Sequence, residues 1–123
     1  QGELCGPGIQ KNRLGLTELA LFVFNVHDTR AGRFLDLGEM DVFCAERKLR
    51  TVPVEAVVEG DAAVEFSHSL ELWLERAKGL YEGTRNRKEG IVVRPLHDAR
   101  SETLGGRMSF KVINNDFLLK DDD

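Results

Sequence analysis

The 123-residue sequence predicts an α+β fold with a predominantly antiparallel sheet and two packing helices. Two apolar runs, at residues 91–93 and 110–113, are typical of neighbouring strands, because β-branched and aromatic residues favour the half-buried surface of a sheet. Two other segments, near residues 37–47 and 70–78, repeat apolar residues at helical spacing instead. The chain is long enough to form one core from both kinds of element.

The first half of the chain predicts two strands and a helix. A short strand around Glu3 is expected to run into a glycine-rich loop at residues 6–15. Residues 19–27 place apolar side chains on alternating sides of an extended chain, which predicts a strand buried on both faces. Asp36, with Glu39 three residues later, indicates the start of the first helix.

The second half predicts a strand, a helix and a hairpin before the chain ends. Residues 52–58 favour a short strand that Gly60 and Asp61 would end. Ser67 or Ser69 is a candidate cap for the second helix. Residues 97–107 read as a hairpin connection, and the apolar residues 117–119 are expected to close the sheet or to lead into a further segment. Lys120, next to them, is a further candidate for a phosphate contact.

The charge of the chain is unevenly distributed. The net charge of −4 argues against a uniformly basic surface that coats nucleic acid. Residues 84–111 nevertheless hold seven Lys or Arg against three Asp or Glu, whereas residues 34–83 hold five against eleven. A basic segment beside an acidic one is compatible with local phosphate binding.

Cysteine content and hydropathy bear on the compartment. Cys5 and Cys44 are too few and too far apart to indicate a disulfide framework or a zinc site. No apolar run approaches the length of a membrane span, and no signal peptide is visible. We therefore expect a cytoplasmic protein without a membrane partner.

The central stretch pairs one acid with one lysine. Glu89 stands just before the Ile-Val-Val run, and Gly90 lets another backbone or a ligand come close to it. Lys111 lies inside the second apolar run, where its ammonium needs an anion or water. A carboxylate can hold a hard cation while lysine neutralises phosphoryl oxygens, so the pair suits a metal-bridged phosphate. An edge-strand ion pair on the solvent face is the alternative.

Four blocks in order resemble the covalent nucleotidyltransferases, which include ATP-dependent RNA and DNA ligases and mRNA capping enzymes. Residues 89–94 (EGIVVR) resemble motif IV of that family, and residues 109–114 (SFKVIN) resemble motif V. Residues 1–12 are similar to a segment of RNA ligases of the phage T4 RNA ligase 2-like group, and residues 21–26 fit motif III. The resemblance implies the ligase-type nucleotidyltransferase fold, which is ATP-grasp-like.

The resemblance also implies the residues that hold the nucleoside. Glu3 matches the acid that contacts the ribose, and Phe24 matches the aromatic residue that stacks on adenine. By its position alone a phenylalanine such as Phe24 is a core residue. Asn25 can read an exocyclic amine or a hydroxyl of the nucleotide, and it can equally cap the end of the strand.

The resemblance also implies which residues contact the phosphate and the metal. Glu89 matches the motif IV acid associated with a divalent metal, and Lys111 matches a motif V lysine that contacts the nucleotide phosphate. Many relatives carry a second lysine where this chain has Ser109, whose hydroxyl can still donate a hydrogen bond.

The family's nucleophile is the lysine of a Lys-x-Asp-Gly motif, and no such motif occurs in these 123 residues. In relatives it precedes the segment that resembles residues 1–12. We therefore expect residues 1–123 to be the motif III to motif V portion of an adenylation domain, and to be inactive alone.

The resemblance implies an ATP-dependent RNA ligase as the full-length protein. Such an enzyme joins RNA 3′-hydroxyl and 5′-phosphate ends through lysyl-AMP and RNA-adenylate intermediates, as in RNA repair. It uses ATP with Mg²⁺ or Mn²⁺, and its partners are RNA ends or a nicked RNA-containing duplex. We expect a monomer. A non-catalytic nucleotide- or nucleic-acid-binding module, a DNA ligase and a capping-type enzyme are the alternatives.

Overall fold

The computed structural model describes the backbone of residues 1–121 and the side chains of residues 1–119. The side chain of Lys120, a candidate phosphate contact, therefore lies outside the described residues. The chain forms two compact units. Unit 1 comprises Gln1–Pro53 and Arg94–Ser109, and unit 2 comprises Val54–Val93 and the described residues from Phe110 onward.

The described residues form nine strands and four helices, so the predicted α+β class is confirmed. In chain order they are β1 (Gly2–Cys5), β2 (Ala20–Val23), β3 (His27–Asp28), β4 (Arg33–Phe34), α1 (Leu37–Glu46), β5 (Arg50–Thr51), α2 (Gly60–Ser67), α3 (Leu70–Ala77), β6 (Gly90–Val93), β7 (Arg100–Ser101), β8 (Gly106–Arg107), β9 (Phe110–Ile113) and α4 (Asn115–Asp121).

Unit 1 is built on a three-stranded sheet in the order β1-β2-β5. Strands β1 and β2 are antiparallel, and β5 pairs with β2 in parallel. Strand pairs β3-β4 and β7-β8 form two small antiparallel sheets, and the second lies within residues 97–107, which were predicted as a hairpin connection without strands of its own. The core consists of Val23 from β2 with Met40 and Cys44 from α1, which lie one helical turn apart and face the sheet together.

Unit 2 pairs β6 with β9 in antiparallel register. Helix α3 packs against both strands, and the ring of Trp73 lies 5.5 Å from that of Phe110 between centroids. The indole Nε1 donates to the Phe66 carbonyl at 2.6 Å, so this partly buried group is satisfied. Ala77 and Val112 are the buried apolar side chains described in this unit.

Two predicted strands are corrected by the structure. The strand expected over residues 19–27 is confined to β2, and its burial on both faces was wrong because Leu19 and Leu21, which share a face, are 58% and 48% exposed. Residues 52–58 are not a strand; β5 lies just before them at Arg50–Thr51. Pro53, which has no N–H to give to a ladder, marks where this pairing stops.

Two of the four helices were not predicted. Helix α2 begins at Gly60, which the sequence indicated as the end of a strand. Helix α4 occupies residues that were expected to close the sheet. The Asn114 side chain accepts from the Asp116 N–H at 3.1 Å, so the polar turn before this apolar segment starts a helix rather than a strand. Within the described residues, no helix is both long and apolar enough to cross a membrane.

Candidate functional site

Glu89 and Lys111 are brought together in unit 2 by the pairing of β6 with β9. The register sets Lys111 opposite Val92, and Glu89 directly precedes β6. The Lys111 Nζ lies 4.0 Å from Glu89 Oε2, and the two side chains are 60% and 43% exposed. An exposed pair at this distance contributes little to the free energy of folding. Each group can therefore leave the other and contact a ligand with little loss of stability.

Gly90 makes the close approach of the two strands possible. Its φ is +151°, which side chains rarely permit, and a Cβ at this position would lie 2.0 Å from the Val112 carbonyl oxygen. The backbone beside the acid can therefore be occupied only by glycine. The prediction that Gly90 admits another backbone is confirmed.

The backbone of Glu89 is fixed from both sides. Its carbonyl accepts from the Asn114 N–H at 2.8 Å, and its N–H donates to the Tyr81 hydroxyl at 3.2 Å. Asn114 is buried, and its amide donates to the Lys88 carbonyl at 2.9 Å. The preceding Lys88 is held by an ion pair with Glu55. The carboxylate thus projects from a rigid segment.

The donor chemistry at Glu89 fits a hard divalent cation in one specific way. Among the described residues no cluster of three His, Cys, Asp or Glu could enclose a metal ion. Mg²⁺ and Mn²⁺ are often held by one or two carboxylates together with waters and substrate phosphates. Glu89 therefore fits a metal held jointly with a phosphate, and the described residues do not fit a metal held by protein groups alone.

In unit 1, Phe24 and Asn25 follow β2 in a segment that is hydrogen-bonded on several sides. The N–H groups of Phe24 and Asn25 donate to the Gln1 carbonyl at 3.0 and 3.3 Å. Register sets Glu3 opposite Phe22, and the alternation continued to Phe24 puts that ring on the same face as Glu3. Val23 points to the core instead, so Phe24 is half-buried rather than a core residue.

Arg94 joins Phe24, Asn25 and Ser109. Its Nη1 donates to the Phe24 carbonyl at 2.8 Å and to Asn25 Oδ1 at 2.7 Å, and its Nε donates to Ser109 Oγ at 3.2 Å. Burial lowers the pKa of Arg94, and the neighbouring positive charge of Arg107 lowers it further.

Arg107 approaches Asn25 from the β8 side. Its Nη1 donates to Asn25 Oδ1 at 2.6 Å, and its Nε pairs with Asp98 Oδ1 at 2.6 Å. The guanidinium also lies 4.0 Å above the centre of the Phe34 ring. The Asp98 N–H in turn donates to Asp36 at 2.7 Å, which connects this cluster to the start of α1.

The structure therefore groups the predicted site residues by unit. Unit 1 holds Glu3, Phe24, Asn25 and Ser109, and unit 2 holds Glu89 and Lys111. Their ligand roles stay predictions. The sequence interpretation missed the roles of Arg94 and Arg107, although both belong to the basic segment whose charge had been noticed.

Comparison with known proteins places the chain in a family. A family model described as RNA ligase matches residues 1–113. No curated protein matches.

Solved structures of Naegleria gruberi RNA ligase share the fold. The ligase with PPi is 25% identical at a TM-score of 0.76, with 99% of this chain and 34% of that chain covered. The K170M mutant with AMP and Mn is also 25% identical, at a TM-score of 0.72, with 98% and 33% covered. The E227A mutant with ATP and Mn is 24% identical at a TM-score of 0.76, with 99% and 34% covered. This chain thus spans about a third of the length of those ligases.

The family match over most of the chain and the shared fold both agree with the resemblance that the four sequence blocks show when taken in order. The chain belongs to the RNA ligase family.

Proposed function

We propose that this chain is part of an ATP-dependent RNA ligase that joins a 3′-hydroxyl to a 5′-phosphate through lysyl-AMP and RNA-adenylate intermediates. The observation that carries the proposal is the Glu89–Lys111 pair. In a chain of the RNA ligase family, the two groups stand 4.0 Å apart, Glu89 just before β6 and Lys111 in β9, and Gly90 permits the close pairing of these strands. A phosphate with its counter-cation can take the place of their weak mutual contact.

Five of the predicted residues have a defined part in this proposal. Lys111 neutralises a phosphoryl oxygen of the nucleotide, and Ser109 donates a hydrogen bond where relatives have a second lysine. Phe24 stacks on adenine, and Glu3 accepts from a ribose hydroxyl. Glu89 would hold Mg²⁺ or Mn²⁺, which when bound offsets negative charge on the phosphates. ATP and AMP, each with Mn, accompany the similar Naegleria gruberi ligases.

The nucleophile in this proposal lies outside residues 1–123. None of the lysines in the sequence stands in a Lys-x-Asp-Gly motif, and the similar ligases are about three times as long. We propose that residues 1–123 are the motif III to motif V portion of the adenylation domain, of the phage T4 RNA ligase 2-like kind. The activity belongs to the longer protein.

The test is adenylylation of the longer protein that contains this chain. We expect a mass gain of one AMP after incubation with ATP and Mg²⁺ or Mn²⁺. Glu89→Gln and Lys111→Met should each slow adduct formation by roughly 100-fold, as expected when a group that stabilises transition-state charge is removed. Both should leave the free energy of unfolding within about 0.5 kcal/mol of wild type, because the pair is exposed.

Matched controls lie elsewhere on the surface. Glu102→Gln in the β7-β8 turn and Lys48→Met after α1 remove the same charges from exposed positions, and should leave the rate unchanged. A wild-type protein that forms no adduct would contradict the proposal and favour a non-catalytic nucleotide-binding module.

The substrate and the setting belong to the same proposal. We propose RNA ends or a nicked RNA-containing duplex as partners, a monomeric protein, and a role in RNA repair in the cytoplasm. The two free thiols, Cys5 and Cys44, are compatible with a reducing compartment. Competition between RNA and DNA 3′-ends for ligation separates an RNA ligase from a DNA ligase, because the 2′-hydroxyl distinguishes them.

A further inference from the structure

The carboxamide of Asn25 is engaged inside the protein. Its oxygen accepts from two guanidinium groups, Arg94 at 2.7 Å and Arg107 at 2.6 Å, so both lone pairs are used. Its Nδ2 donates to Gln1 Oε1 at 2.6 Å. A side chain that reads an exocyclic amine of a base needs a free acceptor, and this oxygen has none left.

We propose that Arg94 is a positioning residue that fixes the backbone of Phe24, and that Asn25 is the anchor of Arg94 and Arg107 rather than a reader of the base. This inference rests on the proposed function, in which Phe24 stacks on adenine. Arg94 bonds the Phe24 carbonyl directly, and the Phe24 N–H is held by the Gln1 carbonyl. The peptide on each side of the ring is therefore fixed.

The charge balance of this cluster supports a positioning role. In the part of the chain that the structure describes, Arg107 has the carboxylate of Asp98 as a partner, but Arg94 has only neutral acceptors. Asp98 attracts Arg94 without bonding to it, and a partly buried guanidinium beside a second guanidinium is a costly way to stabilise a fold. Its donors lie in a rigid planar fork and orient three groups in fixed directions, whereas the three donors of lysine rotate.

The test is a double-mutant cycle in the longer protein, with AMP adduct formation and equilibrium ATP binding as readouts. Arg94→Met should raise the apparent KM for ATP about tenfold and change kcat less than twofold. Because Arg94 acts through Phe24, the double variant Arg94→Met/Phe24→Ala should be no worse than Phe24→Ala alone. Arg30→Met, on an exposed turn of the same unit, is the control and should change neither constant.

The anchor role of Asn25 is tested by two substitutions of similar size. Asn25→Leu removes the acceptor and should raise the KM for ATP at least fivefold more than Asn25→Asp, whose carboxylate still accepts from both arginines. The preference for ATP over inosine triphosphate should be the same in both variants. A changed base preference would mean that Asn25 reads the base, and would overturn the inference.

The outcomes separate this inference from the proposed function. A wild-type protein that neither binds ATP nor forms an adduct overturns both. An active wild type in which the Arg94 and Phe24 penalties add independently overturns the positioning role alone.

Discussion

Gly90 is the residue on which the geometry of the candidate site depends most directly. Its φ is +151°, and a Cβ would lie 2.0 Å from the Val112 carbonyl oxygen, so both features exclude a side chain at this position. We expect Gly90→Ala to lower the free energy of unfolding by roughly 3 kcal/mol or more, because the overlap is with backbone that cannot rotate away. Urea denaturation measures this change.

Gly83 provides the matched control. Its φ is +71°, and a Cβ there would have nothing within 4 Å. Gly83→Ala therefore adds backbone strain without overlap and should cost about 1 kcal/mol. Equal losses at the two glycines would show that the tight pairing of β6 with β9 does not restrict position 90.

Arg94 shows which residue-scale features the sequence could not supply. The placement of Glu89 just before one strand and of Lys111 in its paired strand was predictable from two short apolar runs. Two of the partners of Arg94, however, lie 69 and 70 residues away along the chain, and those of Arg107 include one 82 residues away. Contacts of this range depend on the tertiary fold, so local patterns do not encode them.

At the scale of elements, Glu39 at the start of α1 both caps the helix and forms an ion pair. Glu39 Oε1 accepts from the Asp36 N–H at 3.0 Å, as the spacing of the two acids predicted. Arg33 donates to both Glu39 oxygens at 2.8 Å, and this lowers the pKa of Glu39 to about 2. The hydrogen bond from the Asp98 N–H is the largest cause that lowers the pKa of Asp36, and the hydrogen bond with His97 is the second.

These lowered pKa values predict how stability responds to acid. The unfolded chain takes up protons first as the pH falls, because the Glu39 carboxyl titrates near its ordinary value of 4.5 there and at about 2 in the folded state. The stabilisation is therefore complete above about pH 5 and is lost between that pH and 2. Glu39→Gln should flatten this part of a plot of unfolding free energy against pH.

Glu46→Gln, at the exposed end of the same helix, is the control for this measurement. It should leave the acid dependence close to that of the wild type. If Glu39→Gln leaves the slope between pH 5 and 2 unchanged, the Arg33–Glu39 contact does not persist in solution.

The cap of α3 gives a second prediction at this scale. The Ser69 hydroxyl accepts from the Leu72 N–H at 3.3 Å. Ser69→Ala should lower the free energy of unfolding by about 1 kcal/mol, the usual cost of removing an N-cap. Ser67 donates instead to the Val64 carbonyl within α2, so Ser67→Ala should cost less than about 0.5 kcal/mol. The opposite order in thermal or urea unfolding would assign the cap to Ser67.

Elements were predictable where a local signal matched the tertiary contact. Helices α1 and α3 carry both a cap and an apolar face, and both were predicted. Helix α2 has no cap hydrogen bond from a side chain and buries no residue completely, so its sequence carried neither signal. The strand expected over residues 52–58 failed for the opposite reason, because strand propensity was present but the pairing with β2 stops at Val52, before Pro53.

For the whole molecule, the order of sequence blocks carried more information than any single block. Residues 1–113 match the RNA ligase family, which agrees with the resemblance seen across four short motifs. Composition alone indicated only a globular chain with a basic segment. The division into two compact units was not predicted, because it follows from which distant segments pack together.

The isolated 123-residue polypeptide should form no covalent AMP adduct with ATP and Mg²⁺ or Mn²⁺. None of its lysines stands in a Lys-x-Asp-Gly motif, and Lys88, which precedes the metal-site candidate, is held by Glu55 and is only 18% exposed. Mass spectrometry after denaturation measures the adduct, and the longer protein serves as the positive control. A cooperative urea transition of the isolated chain must accompany the result, so that a missing adduct is not a missing fold. AMP retained on the folded 123-residue chain would mean that one of its own lysines is the nucleophile, and the proposed division of the adenylation domain would then be wrong.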